Sequence, residues 1–369
     1  MINSYKELER SMRPTYVKSL LKNPILGYVF LLIFLIVFQV SFIQGFGPVT
    51  LPISRIVAST MIYIVAAMGL GILTGMAGLV SLGTAAFIGF GAYTAAHLLR
   101  GELAILERLP FQLPFIVILL IAILIGIVLG AVIGFISLRV RGLYLLVITM
   151  GFATVMQEFF QAPNPFTGGW SGITRIPFPT LATFFQLQRD TVFFLLMAVM
   201  FFLIWITLNI INSPMGRAMA AMASSEPLAQ AMGIKLLKYR VLAFIIATVY
   251  ATIAGVLLVS IMPAAIPQNW SFMLSLNLLA VIILGGGIKP HSIMLGAFFV
   301  FAMDLIIWQR IQFFRDNPGL VMVMSGVLMI LIFAKFPGGL TRLVTEIVNL
   351  FVKGFRKWRE YRYGPEPEL

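Results

Sequence analysis

Cysteine is absent from this chain. Disulfides and thiolate metal sites are therefore excluded. Histidine occurs twice and acids number only 13 among 369 residues, and no HExxH stretch is present. A buried metal enzyme has too few ligands to draw on. Charge of either sign is scarce at 11%, against 60% apolar residues. A soluble domain carries about 25% charged residues, and a chain this poor in charge cannot cover a water-facing surface. It reads as an all-α, polytopic integral membrane protein. The phosphate-cradling GxxxxGK[ST] pattern is also missing, and "GGGIKPHS" (285–292) lacks its spacing. That stretch reads instead as a helix end and a tight turn between two spans. Any nucleotide-driven step therefore belongs to another polypeptide.

What is present is long apolar runs. A spanning helix needs roughly 20 apolar residues, and ten segments qualify: 24–44, 55–75, 80–99, 111–137, 143–162, 190–211, 240–262, 271–288, 291–309 and 319–336. The first is too long for a signal-peptide core, lacks a following small-residue cleavage site, and reads as a retained span. The net charge of +13 marks cytoplasmic loops and anionic headgroups rather than nucleic acid. With the N-terminus inside, 19 of the Lys and Arg residues fall on the cytoplasmic side and 7 outside. This favours ten spans with both termini cytoplasmic. The expected organisation is a basic N-terminal segment (1–23), a transmembrane domain (24–336) and a basic cytoplasmic tail (337–369).

One interruption is patterned. "SPMGRAMAAMASSEPLAQAMGIKLLKYR" (213–240) falls on the cytoplasmic side. Ser213-Pro214 starts a short helix with Pro in its first turn. Met215, Met219 and Met222 share one face by their spacing. Ser224-Ser225-Glu226-Pro227 ends that helix and opens another, which Gly233 terminates. Two readings stand: an amphipathic segment on the headgroups, or a platform for a soluble partner.

Polar residues within the apolar spans are few. Ser81, Gly83 and Thr84 open the third span, which is either tightly packed or a broken helix lining a path. Thr149, Gln157 and Asn277 are further path candidates, with packing hydrogen bonds as the alternative. Glu158 and Asp304 are the ionisable candidates, either wet near the outer interface or facing a pore. Gly126, Gly130 and Gly134 form a small-residue ridge suited to close helix approach.

Several motifs together resemble the branched-chain amino acid permease family, the membrane subunits of ATP-binding-cassette importers. They are "GLVSLGTAAFIGFGAYTAAHLL" (78–99), "RGLYLLVITMGFATVMQ" (141–157) with "FTGGWSGI" (166–173), "GRAMAAMASSEPLAQAMGIKLLKYRVLAFIIATVYATIAGVL" (216–257) and "FPGGL" (336–340). They keep the family's order across roughly residues 50–345. The resemblance implies that Gly216, Arg217, Ala218, Glu226, Ala231 and Gly233 belong to a segment that couples to an ATPase. That segment is expected to bury Met and Ala in a groove of the ATPase while Arg217 makes a polar contact. Ala220 and Ala223 stand where relatives often carry Arg. The resemblance further implies an outer loop, with Thr167, Gly168, Gly169 and Gly172, that faces a binding protein.

The implied function is the transmembrane path for leucine, isoleucine or valine. The chain would be no enzyme and would carry no cofactor, with ATP and Mg on the partner. The implied partners are a second permease (identical or a sister), two ATP-binding subunits and an extracytoplasmic binding protein. The implied location is a prokaryotic inner or plasma membrane. Alternatives are the same family's importers of urea, short amides or other amino acids. From another class, an ion-coupled secondary transporter would require ionisable groups near the midplane.

Overall fold

The computed structural model describes residues 24–43, 51–101, 113–137, 142–163, 166–182, 185–186, 189–302, 318–335, 339–343 and 346. The expected basic segment 1–23 and nearly all of the tail 337–369 lie outside these. Two compact units divide the chain, Met1–Ser54 and Arg55–Leu369. The first contributes α1 (Pro24–Ile43) and the opening residues of α2 (Leu51–Gly71).

The second unit carries the rest. α2 closes in one π turn (Ile72–Met76) and is followed by α3 (Thr84–Arg100), α4 (Phe115–Ile136) and α5 (Leu143–Gln161). Short strands β1 (Ile173–Thr174), β2 (Thr180–Ala182) and β3 (Phe185–Gln186) occupy the next connection. Then come α6 (Arg189–Asn212), the short α7 (Pro214–Ser224) and α8 (Glu226–Ala231), and α9 (Leu236–Ile261). β4 (Ala264–Ala265), α10 (Phe272–Gly285), α11 (Pro290–Ala297) with its π turn (Phe298–Ala302), and α12 (Pro318–Lys335) complete the order. Each of the ten apolar segments overlaps a helix, the ninth as far as Ala302 among the described residues. Among the described residues, four helices are long and apolar enough to cross a membrane: Ile53–Met76, Phe115–Ile136, Thr191–Asn212 and Leu236–Ile261.

α9 is the centre of the second unit, buried without interruption from Tyr250 to Ser260. It packs chiefly on α4 and α3. In hydrocarbon, apolar area alone does not hold helices together, so small residues that allow close approach do. The ridge Gly126, Gly130 and Gly134 on α4 meets α9 directly. A Cβ added at these positions would stand 2.9 Å from Val249 Cα, 2.6 Å from Ile245 Cα and 2.9 Å from Val241 Cα. Thr248 Oγ1 donates to the Gly126 carbonyl at 2.7 Å across the same seam. The ridge is therefore packing. On the other side, Gly91 of α3 lies against the Thr252 backbone, and Gly255 of α9 lies against the Ile88 and Ala92 backbone. The glycines are paired, one per helix, so the two backbones nearly touch. A hydroxyl pair, Thr207 Oγ1 and Tyr250 Oη at 2.9 Å, joins α6 to α9.

Several boundaries differ from the sequence reading by up to four residues (α2 begins at Leu51, α4 at Phe115 and α9 at Leu236), and in two further cases the cause is visible. The third span begins at Thr84 rather than residue 80, because Ser81 Oγ accepts the Gly83 amide at 3.3 Å and makes a turn that competes with helix. The eighth ends at Gly285, because Gly286 takes the left-handed conformation at φ 73°. The turn expected in "GGGIKPHS" is thereby present, and Pro290 opens α11 from its first turn. Thr341 Oγ1 donates to the Gly285 carbonyl at 2.5 Å, docking the end of the "FPGGL" region on this turn.

Candidate functional site

The helices α7 and α8 form from strictly local signals. Ser213 is extended, and its Oγ accepts the Gly216 amide at 3.1 Å, with Pro214 in the first turn. Ser225 caps α8 in the same way through the Leu228 amide, at a longer 3.5 Å. Gly233 ends the pair at φ 82°. Its amide donates to the Gln230 carbonyl at 2.9 Å and the Ile234 amide to the Ala229 carbonyl at 2.9 Å. These bonds satisfy carbonyls that the short helix would otherwise leave open.

The platform sits on its own bundle rather than apart from it. Gly216 is buried where a Cβ would stand 2.8 Å from the Ile211 carbonyl and from Met76 Cε. Ala218 is half-buried and Ala231 exposed. Beside the platform, Gly78 meets Ala223. The expectation that the methionine face enters a partner's groove is corrected: Met219 and Met222 are buried inside this chain. Their spacing shows that they share a face, and the bundle has taken that face for itself. The large apolar side chains left on the surface of α8 and the turn after it are Leu228 and Met232, 64% and 77% exposed, with Leu237 exposed at the start of α9. None of these was singled out from sequence. Arg217 is exposed, and its Nη1 donates to the Asn212 carbonyl at 3.0 Å. Glu226 turns inward to an ion pair with Arg240.

Above the platform lies the break between α2 and α3. Residues 77–83 are non-helical, and Ala77, Leu79, Ser81, Leu82 and Gly83 are buried within it. Buried backbone amides require partners. The Leu82 amide donates to Thr149 Oγ1 of α5 at 3.0 Å, and the Ala85 amide to Ser275 Oγ of α10 at 2.9 Å. Ser81, Gly83, Thr84 and Thr149 are thus brought to one place, around a helix N-terminus capped by side chains of two other helices. Ser275 completes it and was missed from sequence, although a hydroxyl in an apolar run is the same signal that singled out Thr149. α3 rises only about 25 Å over its 17 residues, short of the ~30 Å hydrocarbon core.

Thr149→Val removes the acceptor of the Leu82 amide while keeping the side-chain volume. A buried donor left unpaired costs about 1–3 kcal/mol. The unfolding temperature in detergent should fall by several degrees. Thr154→Val, on the exposed face of α5, should leave it unchanged.

The remaining path candidates are not gathered here. Gln157 Oε1 accepts the Phe272 amide at 3.1 Å and so caps α10. Asn277 is half-buried on α10, and Glu158 is exposed on α5. Asp304 lies outside the described residues. Among the described residues, no group of three His, Asp or Glu side chains is placed to hold a metal.

At the opposite end of α3, the 166–174 loop is built rather than loose. Thr167 is buried, and its Oγ1 accepts the Gly169 amide at 3.3 Å. Gly168, Gly169 and Gly172 all take positive φ. Gly172 lies against the Ala265 carbonyl, where β1 pairs antiparallel with β4 (Ile173 with Ala265, Thr174 with Ala264). His97 stacks on Phe166 at 5.1 Å between ring centroids. These four loop residues shape the turn, and the side chain they present is Trp170, 68% exposed.

A sequence profile described as "Branched-chain amino acid transport system / permease component" matches residues 52–333. The chain is 29% identical over 323 residues to the high-affinity branched-chain amino acid transport system permease protein LivM of Escherichia coli K12, covering 80% of this chain and 72% of that one. It is 28% identical over 320 residues to the LivM protein of Salmonella typhimurium LT2, covering 80% and 71%. No solved structure matches. A profile that spans most of the chain, with the broken third helix, the capped platform and the glycine turns all inside it, places the protein: it belongs to the permease component family of branched-chain amino acid transport systems.

Proposed function

We propose that this chain is a permease subunit of an ATP-binding-cassette importer and forms the transmembrane path for leucine, isoleucine or valine. Ten spans with both termini cytoplasmic put the 213–240 platform in the cytosol of a prokaryotic cell, within reach of an ATPase. Two such ATPases, a second permease and an extracytoplasmic binding protein complete the importer. ATP and Mg are held by the ATPase, and this chain carries no cofactor and catalyses no reaction. Residues 24–336 act as the transmembrane domain, flanked by the basic segments 1–23 and 337–369.

One observation carries the reading beyond family membership. A charge-poor protein presents a rigidly capped helix pair whose exposed surface combines Arg217 with Leu228 and Met232. Exposed apolar side chains and a cation on one capped helix pair suit docking into a groove of a soluble partner. The broken α2–α3 segment lies beside that pair, where Gly78 meets Ala223, so a push on the platform reaches it.

The test is purification of the tagged chain from detergent, with mass spectrometry of whatever stays bound. An ATPase subunit is expected in the wild-type eluate and absent after deletion of residues 213–235. A stable wild-type chain that binds no ATPase and moves solute under an ion gradient alone would replace this reading with a secondary transporter.

A further inference from the structure

Arg240 is the feature of the platform that docking does not explain. It lies on the second turn of α9 with its side chain 3% exposed. Its Nη2 donates to Glu226 Oε1, and its Nε has no partner among the described residues. Burying a guanidinium is expensive, and a buried ion pair is commonly no more stabilising than apolar residues of the same volume. Met219 and Met222 already fasten the platform by apolar burial. The pair is therefore a poor choice if holding the platform down were all that mattered. A charged hydrogen bond supplies direction instead, since Nη2 is aimed at one carboxylate oxygen.

That bond runs from the first residue of α8 to the start of α9. α9 is in turn gripped along its length. Gly134, Gly130 and Gly126 seat it on α4, and the Gly91–Gly255 contact seats it on α3. These contacts are backbone to backbone, so displacement of α9 carries α3 and α4 with it. α8 has no comparable contact with either helix among the described residues.

We propose that the Glu226–Arg240 pair, beside the direct packing of α7 on α9, is a link that transmits platform movement to α9, so that Glu226 acts inward as a positioning residue rather than as a contact for the ATPase. The proposal rests on the importer reading above. It assigns Arg240 a role and separates the platform into two parts: an outer surface at Leu228 and Met232 that binds, and an inner tie that transmits.

The test uses the intact importer, co-expressed and reconstituted in proteoliposomes, and records bound ATPase, ATP hydrolysis and uptake per ATP hydrolysed. Glu226→Gln and Arg240→Gln should keep the ATPase bound and hydrolysing while uptake per ATP falls by about tenfold, an ordinary size for coupling between sites. The exchange Glu226→Arg with Arg240→Glu should restore most of it. Glu226→Asp retracts the carboxylate without removing its charge, and should lower the ratio to an intermediate level if the neutral variants prove unstable. Unchanged ratios in Glu226→Gln and Glu226→Asp would overturn the proposal. So would loss of bound ATPase in Glu226→Gln but not in Arg240→Gln, because Glu226 would then be touching the partner. A wild-type chain that binds no ATPase would instead defeat the importer reading itself.

Discussion

Gly91→Leu is expected to prevent assembly of the helix bundle. A Cβ at position 91 would stand 2.8 Å from Thr252 Cα and as close to its carbonyl carbon. Backbone of a helix buried on all sides cannot yield as a flexible side chain does. Overpacking a well-packed interior costs about 1–3 kcal/mol and more when the backbone must shift. Here α9 would have to move away from α3, which also strips the seam at Gly255. Size-exclusion chromatography in detergent should show aggregate in place of a single peak, and membrane levels should fall to near background. Gly151→Ala is the matched control. It lies mid-helix on α5, and an added Cβ there meets nothing within 4 Å. Removing a helical glycine should raise helix stability by up to ~1 kcal/mol, so folding should be normal or slightly better. A folded, monodisperse Gly91→Leu protein would show that the α3–α9 contact is wider than described.

Leu228→Asp combined with Met232→Asp should abolish transport without harming the fold. Both side chains are largely exposed on the platform, so their replacement removes little internal contact. In a docked complex each would bury an apolar side chain worth about 1.5–3 kcal/mol. Each carboxylate would instead enter a desolvated apolar groove without a partner. ATPase recovered with the chain should drop by at least about tenfold, since each 1.4 kcal/mol of lost affinity is a factor of ten. Uptake should drop with it while the unfolding temperature stays at the wild-type value. Undiminished recovery of ATPase would move the docking surface elsewhere on the chain. The same variant separates docking from transmission, because the Glu226–Arg240 pair is untouched by it.

How much was legible beforehand differs between α7 and its surroundings. Ser213, Pro214, Ser225 and Gly233 marked their helix ends in the sequence because capping is satisfied within four residues and needs no distant partner. The third span was misplaced by four residues for the opposite reason. An apolar run records only that a segment leaves water, and the amides of Leu82 and Ala85 are satisfied by Thr149 and Ser275, 67 and 190 residues away. The loop glycines at 168, 169 and 172 take positive φ, a conformation glycine adopts without strain. That the turn is stapled to β4, with Trp170 as its exposed side chain, required the pairing of segments far apart in the chain.

Composition by itself pointed to a membrane protein, because a chain with 11% charge cannot cover a water-facing surface. Hydrophobic run length located the helices, and capping residues drew the platform. Tertiary structure alone decided which side of each helix is used. Met215, Met219 and Met222 are equally spaced for packing inward or docking outward, since periodicity fixes a shared face but not its neighbour. The bundle turned Met219 and Met222 in, left Leu228 and Met232 out, and closed Glu226 on Arg240. A carboxylate and a guanidinium 14 residues apart carry no sign of their pairing until the turn at Gly233 folds one helix back onto the next.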